Sequence, residues 1–134
     1  MMHRRTFLAT SLGLCLSPLA AFAGEGFIDY TPGLINAALK DGRTLLVDYS
    51  ATWCSTCARQ ARVINALRAE NPDFDAAMQF IKVDWDTYRR HDVTRARGIP
   101  RRSTLIVLRG DQELGRIVAG TSEGQIKALL AKGL

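Results

Sequence analysis

Between residues 44 and 50 the chain runs almost without interruption through apolar side chains, Leu45-Leu46-Val47 and then Tyr49. A strand with one wet face alternates apolar and polar residues. An unbroken run fits a strand covered on both faces, as in the interior of a sheet with helices above and below it. The period changes immediately afterwards. From residue 54 to about residue 70, Val63, Ile64 and Leu67 fall on one helical stripe that ends near Asn71-Pro72. Strand, short turn and helix in that order place the chain in the α/β class.

The flanking segments extend the same alternation. Residues 32–40 carry Leu34, Ile35, Ala38 and Leu39 at helical spacing, with Thr31 as N-cap, Pro32 at the first helical position and Asp41-Gly42 as the stop. Residues 79–85 read as a strand through Phe80, Ile81 and Val83, and residues 87–97 as a weak basic helix stopping at Gly98. Residues 104–108 form a β-branched, apolar strand that Gly110-Asp111 turns into residues 113–118, a hairpin. Ser122, with Gln125 three residues on, opens a last helix through Ile126, Leu129 and Leu130. Alternation first and a hairpin last predict a mixed central sheet with helices on both faces. With 134 residues, 47% hydrophobic and 23% charged, and no internal repeat or linker, one domain is expected; disordered and collagen-like readings are excluded.

The first residues follow a different logic. Arg4-Arg5, an apolar stretch from Phe7 to about Leu16, and Ala21-Phe22-Ala23 before Gly24 have the order of a cleavable export signal. Thr10, Ser11, Ser17 and Pro18 make the stretch too short and too interrupted for a spanning helix of ~20 residues. The expected division is therefore a signal over 1–23 and a domain over 24–134, released into the periplasm by cleavage after Ala23. The arginine pair is compatible with both the twin-arginine and the general secretory route. Removing 23 of 134 residues leaves 111, and removing Arg4 and Arg5 takes 18 basic residues to 16 against 13 acidic, a net charge of +3.

Cys15 leaves with that segment, so Cys54 and Cys57 are the only pair that remains. A bridge across two intervening residues constrains the unfolded chain very little, which makes stability a poor reason for the pair. Redox chemistry or metal binding are better reasons. Cys54 stands where a helix begins, so free N–H groups and the helix dipole favour its thiolate, the attacking species in disulfide exchange. Cys57 lies three residues on, on the same face, placed to resolve the mixed disulfide. Passive bridging and a zinc site compete with this reading, although His91 is the only histidine left to join such a site.

The run Val47-Asp48-Tyr49-Ser50-Ala51-Thr52-Trp53-Cys54-Ser55-Thr56-Cys57 resembles the active-site strand and turn of the thioredoxin family. The resemblance continues through Lys82-Val83-Asp84, Gly98-Ile99-Pro100, residues 104–108, Gly110 and residues 120–134. It implies a thioredoxin-like fold and thiol-disulfide oxidoreductase activity without an organic cofactor. Asp48, a carboxylate in an otherwise apolar strand, is costly to bury unless neutralised or paired. The resemblance implies that it lies beneath the cysteines as a proton acceptor for Cys57, with Lys82 approaching from the neighbouring strand; solvent-facing positions are the alternative for both.

Trp53, just before the nucleophile, is expected to shape the surface that docks substrate, with a plain core tryptophan as the competing reading. The family also places a cis-proline before the hairpin strand, and here the sequence departs from the pattern. Pro100 follows Gly98-Ile99, yet Arg101-Arg102-Ser103 separates it from Thr104. Either Pro100 is the cis residue, which we expect, and the three residues bulge outward, or Ser103 takes the place beside the cysteines with a trans bond. Ile99, Pro100 and Ser103 are accordingly the candidate substrate-binding positions. Arg89-Arg90, Arg95, Arg97 and Arg101-Arg102 read as a solvated basic surface, without the aromatic interleaving that nucleic acid calls for.

Ser55 and Thr56 supply no charge to stabilise the thiolate, which favours a reductant over a disulfide donor. The expected partners are exported proteins with disulfides and a membrane electron donor, and the expected state is a monomer. An oxidase or isomerase is the second enzyme reading, and a binding module that holds a partner or a soft metal through the cysteines is the reading from another class.

Overall fold

A computed structural model describes residues 26–134. The expected signal over residues 1–23 and Cys15 lie outside the described residues. In chain order the elements are β1 (Ile28–Asp29), α1 (Leu34–Lys40), β2 (Thr44–Ser50), α2 (Ser55–Glu70), α3 (Asp73–Ala77), β3 (Met78–Asp84), α4 (Trp85–Tyr88), α5 (Asp92–Arg95), β4 (Thr104–Arg109), β5 (Gln112–Val118) and α6 (Glu123–Ala131).

The five strands form one mixed sheet in the order β1-β3-β2-β4-β5. β1 and β2 each run parallel to β3, whereas β4 runs antiparallel to both β2 and β5. β2 is paired on both edges and buried at all seven positions, which is what its continuous apolar run requires. Its alternating side chains feed two cores. Leu46 packs with Ile64 and Leu67 of α2 and Ile126, Leu129 and Leu130 of α6, and Leu45, Val47 and Tyr49 pack with Ile35 and Ala38 of α1 on the other face. Helices therefore cover both faces of the sheet.

Several boundaries depart from the sequence expectation. α1 begins at Leu34 behind a left-handed Gly33 (φ 89), so Thr31 and Pro32 form the preceding turn instead of the cap and first helical residue. The expected strand end at residue 85 is instead the start of α4, because the Asp84 carboxylate accepts from the Thr87 N–H at 2.9 Å and opens a helical turn there. The basic helix expected over 87–97 is two single turns, α4 and α5, and Gly98 (φ 59) ends the second as anticipated. The two-residue β1 and the five-residue α3 have no counterpart in the sequence reading, since neither is long enough to show a period. The closing elements agree with expectation: Gly110 (φ 60) supplies the left-handed turn of the β4–β5 hairpin, and the Ser122 hydroxyl caps α6 by accepting from Gln125 N–H at 3.4 Å.

Candidate active site

The carboxyl end of β2 delivers the chain through Ala51-Thr52-Trp53 to Cys54, the N-cap of α2. Cys54 keeps an extended backbone while its sulfur accepts from the Cys57 N–H at 3.2 Å, one of the free donors at the start of the helix. Cys54 and Cys57 form a disulfide with Cα atoms 5.3 Å apart. Both are buried, and they pack with Ala51 and the partly buried Trp85. Helix start and spacing thus put both sulfurs at one point, as the sequence implies.

Asp48 sits two residues beyond Leu46 on the same face of β2, hence on the face that α2 covers. It is fully buried, and neither carboxyl oxygen has a hydrogen-bond partner. Burial pushes its pKa from 3.8 up to about 7, against the opposing pull of the Lys82 charge. Lys82 is the residue opposite Asp48 in the parallel β2–β3 register, half-buried, with its ammonium 5.6 Å from the centre of the Phe27 ring. A carboxyl poised near neutrality can hold or release a proton at working pH.

The residue beside the sulfurs is Ser103. Its Oγ lies 3.2 Å from Cys54 Sγ and 3.1 Å from Cys57 Sγ. This corrects the expectation that Pro100 holds that place: Pro100 is exposed, and no peptide bond among the described residues is cis. The reason is strand register. Thr104 pairs with Tyr49 and Val118, so the residue immediately before it is carried to the end of β2 where the cysteines stand, and Pro100 stays outside. Ile99 also lies away from the sulfurs, buried in the core on the α1 face with Ile35 and Tyr49.

Trp53 is 58% exposed, with its indole N–H donating to Asp86 Oδ2 at 2.8 Å. The Arg102 guanidinium stacks 4.4 Å above the ring. The exposed indole, next in the chain to Cys54, and the half-buried guanidinium, next to Ser103, thus form a rim beside the cysteine site, a role for Arg102 that its reading as one of several solvated arginines did not contain. Gln60 also escaped the sequence reading. It is buried on α2, and its amide donates to the carbonyls of Ser103 (3.0 Å) and Gly120 (2.9 Å), tying the loop before β4 and the end of the β5 segment to the cysteine helix. The signal was present: a polar residue three positions after Cys57, on the stripe of Ile64 and Leu67. Among the described residues no three His, Cys, Asp or Glu side chains come together as a metal site.

Comparison with known proteins places this geometry. The family described as Thioredoxin matches residues 31–132. A thioredoxin from Echinococcus granulosus is 32% identical over 72% of this chain and 83% of its own length, and the mitochondrial thioredoxin-2 of Schizosaccharomyces pombe is 30% identical over 82% and 74%. Among solved structures, Trxlp from Edwardsiella tarda superposes with a TM-score of 0.64 at 30% identity, covering 76% of this chain and 97% of that one. The thioredoxin NaTrxh from Nicotiana alata gives the same TM-score at 25% identity, over 80% and 91%.

Proposed function

Because the chain belongs to the thioredoxin family and is a thiol-disulfide oxidoreductase with a Cys54–Cys57 pair, we propose that it is an exported reductant of protein disulfides. The observation that carries the dithiol chemistry is the seating of both sulfurs at the start of α2, with the Cys57 N–H on Cys54 Sγ. In the reduced protein the Cys54 thiolate attacks one sulfur of a substrate disulfide. That bond breaks, a mixed disulfide forms, and the departing substrate thiolate takes a proton from water. Cys57 then gives its proton to the Asp48 carboxylate and attacks Cys54 Sγ. The mixed disulfide breaks, the second substrate sulfur leaves as a thiolate and takes the proton back from Asp48 or from water, and the Cys54–Cys57 bond closes with two electrons passed to the substrate.

In this reading Trp53 and Arg102 form the surface against which substrate docks, and Lys82 moderates the charge of Asp48. The uncharged Ser55-Thr56 dipeptide supports the reducing direction, since it adds no charge to stabilise the reduced enzyme. Periplasmic location rests on the order of basic, apolar and small residues over 1–23, and it requires an electron donor at the membrane to re-reduce the pair. One copy carries Cys54, Cys57, Asp48 and Ser103 together, which supports a monomer.

The test is turnover. With dithiothreitol as electron source and a disulfide-bonded protein as substrate, the wild type should accelerate reduction catalytically and Cys54→Ala should not. Stoichiometric binding of copper or zinc without turnover would instead favour a thiol-ligand module.

A further inference from the structure

We propose that the Ser103 hydroxyl is a catalytic group that donates a hydrogen bond to the Cys54 thiolate and so holds the reduced pair ready to attack. This rests on the dithiol reading above. Ser103 is fully buried, and its backbone N–H and carbonyl are both hydrogen-bonded away from the sulfurs. The N–H donates to Tyr49 O at 2.7 Å, and the carbonyl accepts from Ala119 N at 2.8 Å and Gln60 Nε2 at 3.0 Å. The side chain alone faces the pair, and its partners are the two sulfurs.

The backbone at Ser103 adopts φ 63, a left-handed conformation in which a glycine would be at ease, yet a hydroxyl-bearing residue stands there. A disulfide sulfur is a weak acceptor. A thiolate carries a full charge, and hydrogen bonds to charged acceptors are roughly twice as strong as neutral ones. The hydroxyl therefore favours the reduced thiolate over the oxidised pair, adding to the Cys57 N–H that already points at the same sulfur. Charged groups on the surrounding elements include Asp48 of β2, Arg59 and Arg62 of α2, Lys82 and Asp84 of β3, Asp86 of α4, and Arg101 and Arg102 of the loop. None of them hydrogen-bonds either sulfur among the described residues, so the hydroxyl acts on the nucleophile directly.

The experiment compares wild type, Ser103→Ala and Ser103→Gly. Both variants delete the hydroxyl, but glycine also relieves the left-handed backbone that alanine retains, and it serves where alanine impairs folding. Each reduced protein is titrated by the rate of Cys54 alkylation against pH, and each couple is equilibrated with glutathione. Both variants should raise the Cys54 midpoint by about one pH unit, the effect of one hydrogen bond to a charged acceptor. Measured at a pH above both midpoints, both should also shift the glutathione equilibrium about tenfold toward the oxidised protein, ~30 mV by the two-electron conversion. A midpoint unchanged in either folded variant, or a shift in the alanine variant alone, would overturn the assignment. A wild type that exchanges with neither glutathione nor dithiothreitol would overturn the dithiol reading itself, which separates the two failures.

Discussion

Asp48 couples the fold to pH. The folded carboxyl keeps its proton up to about pH 7, whereas an unfolded one loses it near 3.8, so between those values the folded protein binds more protons than the unfolded one. Stability is therefore predicted to fall as pH rises from about 4 to about 7 and to level off above. Asp48→Asn, which keeps the shape but cannot ionise, should remove that slope and stabilise the protein at pH 8 by up to about 4 kcal/mol, at 1.36 kcal/mol for each unit of the shift. Urea unfolding of both proteins at pH 4 and pH 8 measures it, and equal slopes would show that Asp48 is not buried as described. The same variant should accumulate mixed disulfide, because Cys57 loses its proton acceptor. The sequence already marked Asp48 as anomalous on an apolar strand, but that its two oxygens have no hydrogen-bond partner is a property of packing from both sides of the sheet.

At the scale of elements, the site is a junction of three segments fastened by one amide. Gln60 joins α2 to the Ser103 and Gly120 carbonyls, so Gln60→Ala should cost about 1–3 kcal/mol by deleting two hydrogen bonds; the Ser103 carbonyl keeps the Ala119 N–H, and the half-buried Gly120 carbonyl loses this donor. Denaturant unfolding reads the loss. What was legible in the sequence at this scale was whatever produces a period. The run 44–50 announced the central strand, Val63, Ile64 and Leu67 announced the helix behind the cysteines, and Ser122 with Gln125 announced the last cap. The sequence left Pro100 and Ser103 as alternatives beside the cysteines and could not choose between them, because the choice depends on Thr104 pairing with Tyr49, residues 55 apart in the chain. Local pattern favoured Pro100 after Gly98-Ile99; long-range register put Ser103 at the sulfurs. The edge strand Ile28–Asp29 was equally silent, being fixed by its pairing with Ile81 and Lys82.

For the whole molecule, the described residues form one layered domain whose reactive end is the carboxyl edge of β2 with the Trp53–Arg102 rim beside it. Its cross-link spans two residues and adds little to stability, so reduction should leave the fold intact, and circular dichroism of reduced and oxidised protein should superimpose. Expressed in its native host, Cys57→Ser should arrest exchange at the mixed disulfide on Cys54. Identification of the attached chains then tests the partner class, and recovery of cytoplasmic proteins alone would contradict export. The most direct test of the central claim is the reduction potential of the Cys54–Cys57 couple, measured by equilibration with glutathione. A reductant predicts a value more negative than about −200 mV, whereas a value near −120 mV, that of a strong disulfide donor, would contradict it.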